Sequence, residues 1–356
     1  MSFAHSLSTA AFRADKPASD PIKRAILAAY AVYLALLGAG WWATVHILPD
    51  DISLTLAGHH LHMSEVHRRL LTRAFELGGI VPGVIMLELA LVGWAKSSLR
   101  HLLIERSPSA MTDVSILTLW NTHIMTWLMT AATFGATLTT GLWLRTWLVG
   151  ATGINLSLSQ LPYLAEIPVL YLLYTLVDYW THRLDHSHVF WPIHRFHHAA
   201  TEFTVLNSCR THPAIFTGVI FTTVPLTMLG ASVQAMVDIN LLIVGLRFLI
   251  HSRIDSNFGW IGRTVFQSPT HHRLHHILDM SEPTGHFSLM PLWDRLFGTW
   301  RGEADQTLAV GVSAPYRHGL WVVPDMLRDY GDLLLRLWGM VTGRKLALVH
   351  DGVTPS

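Results

Sequence analysis

The sequence predicts an all-α protein, a multi-span membrane helical bundle with a histidine-rich helical region at its cytoplasmic face. Three observations predict it. Hydrophobic residues make up 51% of the 356-residue chain and charged residues only 14%, with mean hydropathy +0.36, a balance foreign to an ordinary soluble domain. Several runs without Asp, Glu, Lys or Arg reach the length of about 20 residues that a helix needs to cross a bilayer. Twelve of the 23 histidines fall between Asp178 and His276, and eight of these form three spaced boxes.

Residues 1–24 form a polar, mixed-charge arm without the apolar core of a cleaved signal. Residues 25–177 read as a stem of about four spans. The segments 25–48 and 114–144 contain no charged residue and supply two of them. Segment 77–95, interrupted by Pro82 and Glu88, and segment 161–177, interrupted by Pro162, Glu166 and Pro168, supply the others. His59, His60, His62 and His67 form a separate cluster, read as a solvated loop between the first two spans. Residues 178–303 hold the boxes and enclose an apolar hairpin, 213–250, that carries Pro225, Gly230 and Asp238. The tail, 304–356, includes an amphipathic pattern over 320–341, expected to lie against the membrane or against the histidine-rich region.

Lys and Arg near the spans set the orientation. Arg13, Lys16, Lys23 and Arg24 precede the first span and Lys96, Arg100 and Arg106 follow the second, which puts both flanks in the cytoplasm. Arg68, Arg69 and Arg73 in the intervening loop argue the other way. After four spans the first two boxes emerge on the cytoplasmic side, and the hairpin returns the chain to that side with His251 and the third box. Topology alone therefore brings every box to one membrane surface.

The boxes are His182-x3-His186, His194-x2-His197-His198 and His272-x2-His275-His276. Residues four apart on a helix stack on one face, so His182 and His186 can address one centre. In the HxxHH boxes, residues three apart share a face while the adjacent histidine diverges by about 100°, so one box can serve two neighbouring ions. Neutral imidazole suits iron, zinc and copper. Eight boxed histidines exceed the four ligands of a structural zinc and the three of a catalytic one, so two metals fit better.

The chain resembles the fatty acid hydroxylase/sterol desaturase superfamily of integral-membrane non-haem di-iron oxygenases. The resemblance covers about residues 171–300 and rests on DYWTHRLDH (178–186), WPIHRFHH (191–198), RTHP (210–213), HSRID (251–255), SPTHHRLHH (268–276) and LWDRLFGTW (292–300). It implies a membrane stem topped by a cytosolic histidine-rich helical cap that holds two iron ions. By residue-to-residue match, His182, His186, His194, His197, His198, His272, His275 and His276 are the implied ligands, His251 is a further one, and His212 is a ligand or a supporting residue. The chain departs from the family pattern at Gly285-His286-Phe287, where His286 could be an extra ligand, and at Arg253, where Asn is common. His271 falls outside the HxxHH register, and His188 outside both flanking boxes.

Ligating imidazoles pass their second N–H to a carboxylate or carbonyl, and Asp178, Asp185, Glu202 and Asp255 are spaced to receive it. Glu88 and Glu166 lie within expected spans, where a carboxylate marks either a substrate tunnel or helix pairing. The resemblance implies O2 activation and hydroxylation of a C–H bond in a lipid (fatty acyl, sterol or related), with desaturation on the same site as the alternative. No dinucleotide loop is present, so the electrons are expected from an external cytochrome, ferredoxin or NAD(P)H-dependent reductase. A histidine-relay metal transporter would need histidines spread through the spans, and only His123 lies deep in one. A zinc hydrolase of the HExxH type lacks its motif here. The single cysteine, Cys209, allows no internal disulfide, and the net charge of +1 gives no reason to invoke nucleic acid. The expected location is a multi-pass position in a bacterial cell membrane, preferred to the endoplasmic reticulum, with the active site on the cytoplasmic face.

Overall fold

The computed structural model describes residues 20–56, 59–132, 138–155, 157–278, 285–303 and 308–343. It is mostly helical. Helix α1 (Asp20–Ile47) includes an apolar run, Arg24–Ile47, long enough to cross a membrane, and α11 (Val233–Ile250) is the second such helix. Val32, Leu36, Trp42 and Ile47 of α1 are exposed, so no protein core accounts for its apolar surface.

The histidine cluster after α1 is ordered where a solvated loop was expected. Ile52–Leu56 (β1) and His59–Met63 (β2) pair antiparallel, with Ile52 opposite Met63. The period-two pattern Ile-Ser-Leu-Thr-Leu is the reason. Helix α2 (Val66–Arg73) leads through a π-helical turn, Ala74–Ile80, into α3 (Val81–Val92), with Pro82 directly after that turn.

A short turn, α4 (Ser98–Arg100), precedes α5 (Pro108–Asn121), α6 (Ile124–Ala132) and α7 (Leu138–Thr152). The charge-free run 114–144 is thus not one continuous helix. It breaks at Thr122–His123, where His123 takes a left-handed φ of 61°, and residues 133–137 lie outside the described set. The run carries no charge, so hydropathy reads it as one segment, although Asn121, Thr122 and His123 are polar.

Helix α8 (Tyr163–Asp185) runs on from the fourth expected span into the first box without interruption. Helix α9 (Trp191–His198) carries the second box. The hairpin region forms a π-helical turn (Gly218–Thr223), α10 (Val224–Met228) and α11, which His251 follows directly. Then come α12 (Gly259–Thr264), α13 (Pro269–His275) with the third box, α14 (Pro291–Leu296) and α15 (Val323–Thr342).

Glu88 and Glu166 act in helix pairing. Glu88 accepts hydrogen bonds from Ser98 N (2.7 Å), Ser98 Oγ (2.9 Å) and Arg253 N (2.5 Å), tying α3 to the chain beyond α11. Glu166 accepts from Ser232 N (2.6 Å) and Oγ (2.8 Å), which fastens α8 to the start of α11. One apolar core fills the space between α8 and α11 with Leu170, Ile239, Ile243 and Leu289, and a second gathers Val84, Ile116, Phe196, Phe248 and Met326.

Helix α15 buries charged residues alongside Met326 and Leu333. Asp325, Asp329 and Arg336 are buried, whereas Leu327, Leu334, Trp338 and Val341 are exposed. Its polar side packs on α9, where Arg195 donates to Asp329 (2.5 Å), Asp332 (2.6 Å) and Tyr316 (3.2 Å).

Candidate metal centre

Nine histidines from four segments converge into two adjoining clusters. His182, His186, His194, His198 and His275 form the first, and His197, His251, His272 and His276 the second, with the ligating atoms of each lying within 4.8 Å of one another. Within a box, the residues that share a cluster are four apart: His194 with His198, and His272 with His276. The third member, His197 or His275, serves the other cluster. This corrects the expectation that residues three apart share a face while the adjacent one diverges. At about 100° per residue, an i+4 partner is offset by about 40° and an i+3 partner by about 60° in the opposite sense. His198 and His276 stack at 4.1 Å where the clusters meet.

Backbone carbonyls set the tautomers. Nδ1–H of His182 donates to Phe287 O (2.7 Å) and that of His275 to Gly285 O (2.8 Å), leaving both Nε2 atoms as bare acceptors 3.1 Å apart. In the second cluster, His197 donates to Arg210 O (3.1 Å) and His251 to Arg247 O (2.7 Å), and their Nε2 atoms face each other at 3.3 Å. Two lone pairs at such a distance repel unless a cation lies between them. The remaining Nε2 contacts, His182–His194 (3.1 Å), His186–His275 (3.2 Å), His194–His198 (3.2 Å), His251–His272 (3.0 Å) and His272–His276 (3.1 Å), share that spacing, with no carbonyl on Nδ1 of His186, His194, His198, His272 or His276. A cis pair of ligands at about 2.1 Å from one ion would be separated by about 3 Å. The donor sets therefore fit a metal ion in each cluster.

The expected carboxylate acceptors do not serve these rings. Asp178 pairs with Arg247 (3.0 Å), Asp255 lies 3.7 Å from Arg273, and Glu202 contacts His101 (3.0 Å) and Ser107. Asp185 is buried beside the first box, and burial raises its carboxyl to about 7. Backbone carbonyls take the role because the loop after the third box folds over the first cluster. Asp294 of the LWDRLFGT element secures that loop by accepting from Phe287 N (2.8 Å), Ser288 N (3.0 Å) and Thr299 Oγ1 (2.7 Å). Gly285 must be glycine, since a Cβ there would sit 2.1 Å from Thr299 O. Asp294 and Gly285 were the functional residues missing from the expected set. Their signal was present in the element following the third box, but it gave no indication that the loop bonds to imidazoles.

Three histidines stand apart from the clusters. His212 accepts from Ala214 N on Nδ1 (3.0 Å) and donates from Nε2 to Met326 O (2.8 Å), so it braces α15. His286 accepts from Arg301 N (3.2 Å) and lies parallel to His271 at 5.6 Å. His271 bonds Ser268 Oγ (2.8 Å), facing away from both clusters as its register predicts.

Burial, followed by repulsion from neighbouring imidazoles, holds His194, His198, His272 and His276 far below the usual histidine range. Burial likewise takes His251 down to about 4. The clusters are thus neutral donor sets at physiological pH. Phe287 lies against His182, His186 and His275 (5.1–5.6 Å), and Phe203 against His251, His272 and His276 (5.3–6.3 Å), closing one side of each cluster with an apolar ring. A cavity of about 470 Å³ opens on both clusters through His182, His194, His197, His251 and His272. That volume suits a lipid-sized ligand.

Residues 167–299 match the fatty acid hydroxylase family. An alkylglycerol monooxygenase from Danio rerio is 27% identical over 184 residues, 49% of this chain and 39% of that protein. An alkylglycerol monooxygenase from Xenopus tropicalis is 25% identical over 134 residues, 36% of this chain and 29% of that protein. The chain therefore spans less than half the length of these relatives. No solved structure shows a significant match.

Proposed function

We propose, from the premise that residues 167–299 are a fatty acid hydroxylase domain of the fatty acid hydroxylase/sterol desaturase superfamily, that the protein is a di-iron monooxygenase acting on a lipid. The observation that carries this reading is the pair of adjoining all-histidine clusters opening on one cavity. Nine neutral nitrogen donors divided between two neighbouring centres match the ligand preference of a redox metal pair. The names of the relatives favour hydroxylation over desaturation.

Bound iron would supply the reduction of O2, in which one oxygen atom enters a C–H bond as hydroxyl and the other leaves as water. That balance takes two electrons and two protons from outside, so an external cytochrome, ferredoxin or reductase is part of the proposal. The protein's own residues do the rest. The four carbonyls orient the imidazoles, Phe203 and Phe287 exclude water, and the apolar wall formed by Leu170, Leu226, Met236 and Ile239 receives the hydrocarbon. The two apolar helices α1 and α11 would give the protein access to lipid within the bilayer.

Elemental analysis and Mössbauer spectroscopy of the detergent-purified chain, grown in iron-57, test the proposal. Two irons per chain with a coupled diferric signal are expected. A stoichiometric zinc content, or no metal after anaerobic loading with Fe(II), would overturn it.

A further inference from the structure

Helix α15 lies beyond residues 167–299, outside the stretch that matches the family. Its 20 residues span about 30 Å. Every fully exposed residue on it is apolar except Thr342 in the last turn. At about 100° per residue, Leu327, Leu334, Leu335, Trp338 and Val341 fall on one outer arc about 120° wide. The charged groups are turned inward or tied down: Asp325, Asp329 and Arg336 are buried, Asp332 accepts from Arg195 (2.6 Å), and Arg328 donates to Asp329 (3.1 Å). A helix on a wet protein surface keeps its charges on the outer face.

The surroundings say what covers this arc. Leu333 and Leu337 on the inner side pack with Ile215 and Phe216, where the charge-free run 213–237 begins. Ile220 and Phe221, further along that run, are exposed, so bare apolar surface lies on both sides of the junction. Exposed Trp321 and Trp338 stand near the two ends of the helix, and tryptophan concentrates at the level of lipid headgroups. In sequence, exposed Arg317 precedes the helix and Arg344 and Lys345 follow it, cations that an anionic leaflet attracts. A protein partner is fixed in register by hydrogen bonds, whereas the arc offers one donor, the Trp338 indole, and no acceptor. A fluid lipid surface needs no register.

We propose that α15 is an in-plane membrane helix, with its outer arc sunk into the boundary between headgroups and acyl chains. The inference goes beyond the oxygenase reading and does not depend on it, since it holds whether or not the clusters bind iron. It gives the bilayer a hold on the second box. Arg195, between His194 and His197, donates to Asp329 and Asp332, Arg336 donates to His188 O, and His212 donates to Met326 O (2.8 Å). One helix thereby joins lipid on its outer side to the α9 histidines on its inner side, and sets their height above the bilayer.

The test uses the full chain in nanodiscs of phosphatidylcholine with a minority of phosphatidylglycerol, one chain per disc. An environment-sensitive fluorophore is attached in turn at Leu327→Cys, Leu334→Cys and Trp338→Cys, with Leu36→Cys on α1 as the reference for insertion; native Cys209 is buried. Nitroxides held at two depths on the acyl chain, compared with aqueous iodide, should place the α15 labels about 5–10 Å into the leaflet and the Leu36 label deeper. Free access of iodide to the α15 labels would overturn the proposal. Protection from both quenchers would show the chain's own end covering the arc, and protection that arises only with two chains per disc would show a second copy there; either result overturns it as well. The three positions are read independently, so a variant that fails to fold leaves the others to decide. Iodide reaching the Leu36 label would remove the membrane premise and this inference with it, while the oxygenase reading stands or falls separately on metal analysis.

Discussion

Four carbonyl oxygens, those of Phe287, Gly285, Arg210 and Arg247, decide which nitrogen of four imidazoles faces into its cluster. Two kinds of histidine follow, and substitution separates them. His194→Ala or His275→Ala should abolish product and lower metal content, whereas His286→Gln should keep the metal, since His286 bonds Arg301 N and lies outside both clusters. Elemental analysis with a turnover assay checks this, and full turnover by either alanine variant would refute the assignment. Gly285→Ala pushes a Cβ into Thr299 O and displaces the carbonyl that holds His275. Metal affinity should fall about 10–100-fold, measured by competition with a chelator. The boxed histidines and His251 were readable from spacing and resemblance. Their carbonyl partners were not, because a backbone acceptor leaves no residue-type signature and the loop that supplies two of them is recruited by Asp294 from beyond the third box.

Proton binding follows the same residues. The buried imidazoles are held neutral in the fold, with pKa values below the 6.5 of an exposed histidine, so the unfolded chain takes up protons first as the pH falls. Stability is therefore full above about pH 6.5 and declines below it. Melting of the metal-free protein from about pH 8 down to about pH 5 should show a midpoint that falls with pH, and a flat profile would contradict the burial of these rings.

Among the elements, α15 is the least expected. The pattern over 320–341 left open whether its apolar side faced the protein or the bilayer. Arg195, between His194 and His197 on α9, draws Asp329 inward and leaves Leu327, Leu334 and Trp338 outside. Arg195 is one of two guanidiniums on buried Asp329, Arg328 being the other (3.1 Å), so Arg195→Met should destabilise the protein by about 1–3 kcal/mol, read from chemical denaturation. The double variant Arg195→Met with Asp329→Leu should recover part of that loss. Segment 114–144 shows the opposite limit of sequence reading. Its apolar character was evident, but the turn at His123 depends on a local φ that composition does not encode.

For the molecule as a whole, the two clusters link four segments of the chain, from α8 to the end of α13. A ligand that binds only the folded form stabilises it by mass action, about 4 kcal/mol when free metal exceeds its dissociation constant a thousandfold. Chelation should lower the unfolding midpoint, and anaerobic Fe(II) should restore it. The overall arrangement of apolar helices leading to converging boxes was readable because hydropathy and histidine spacing are both local properties. The division of ligands between clusters was not, since it depends on how α8, α9, α11 and α13 pack.

The carbonyl clamps on the imidazoles also bear on how such a scaffold can drift. Because the acceptors belong to the main chain, exchanging the side chains of Phe287, Arg210 or Arg247 leaves the acceptor atom in the chain. Ligand orientation is thereby insulated from most point mutations, while the cavity wall a turn below is free to vary. A lineage built on this scaffold could change what the cavity accepts while keeping the histidine clusters in place.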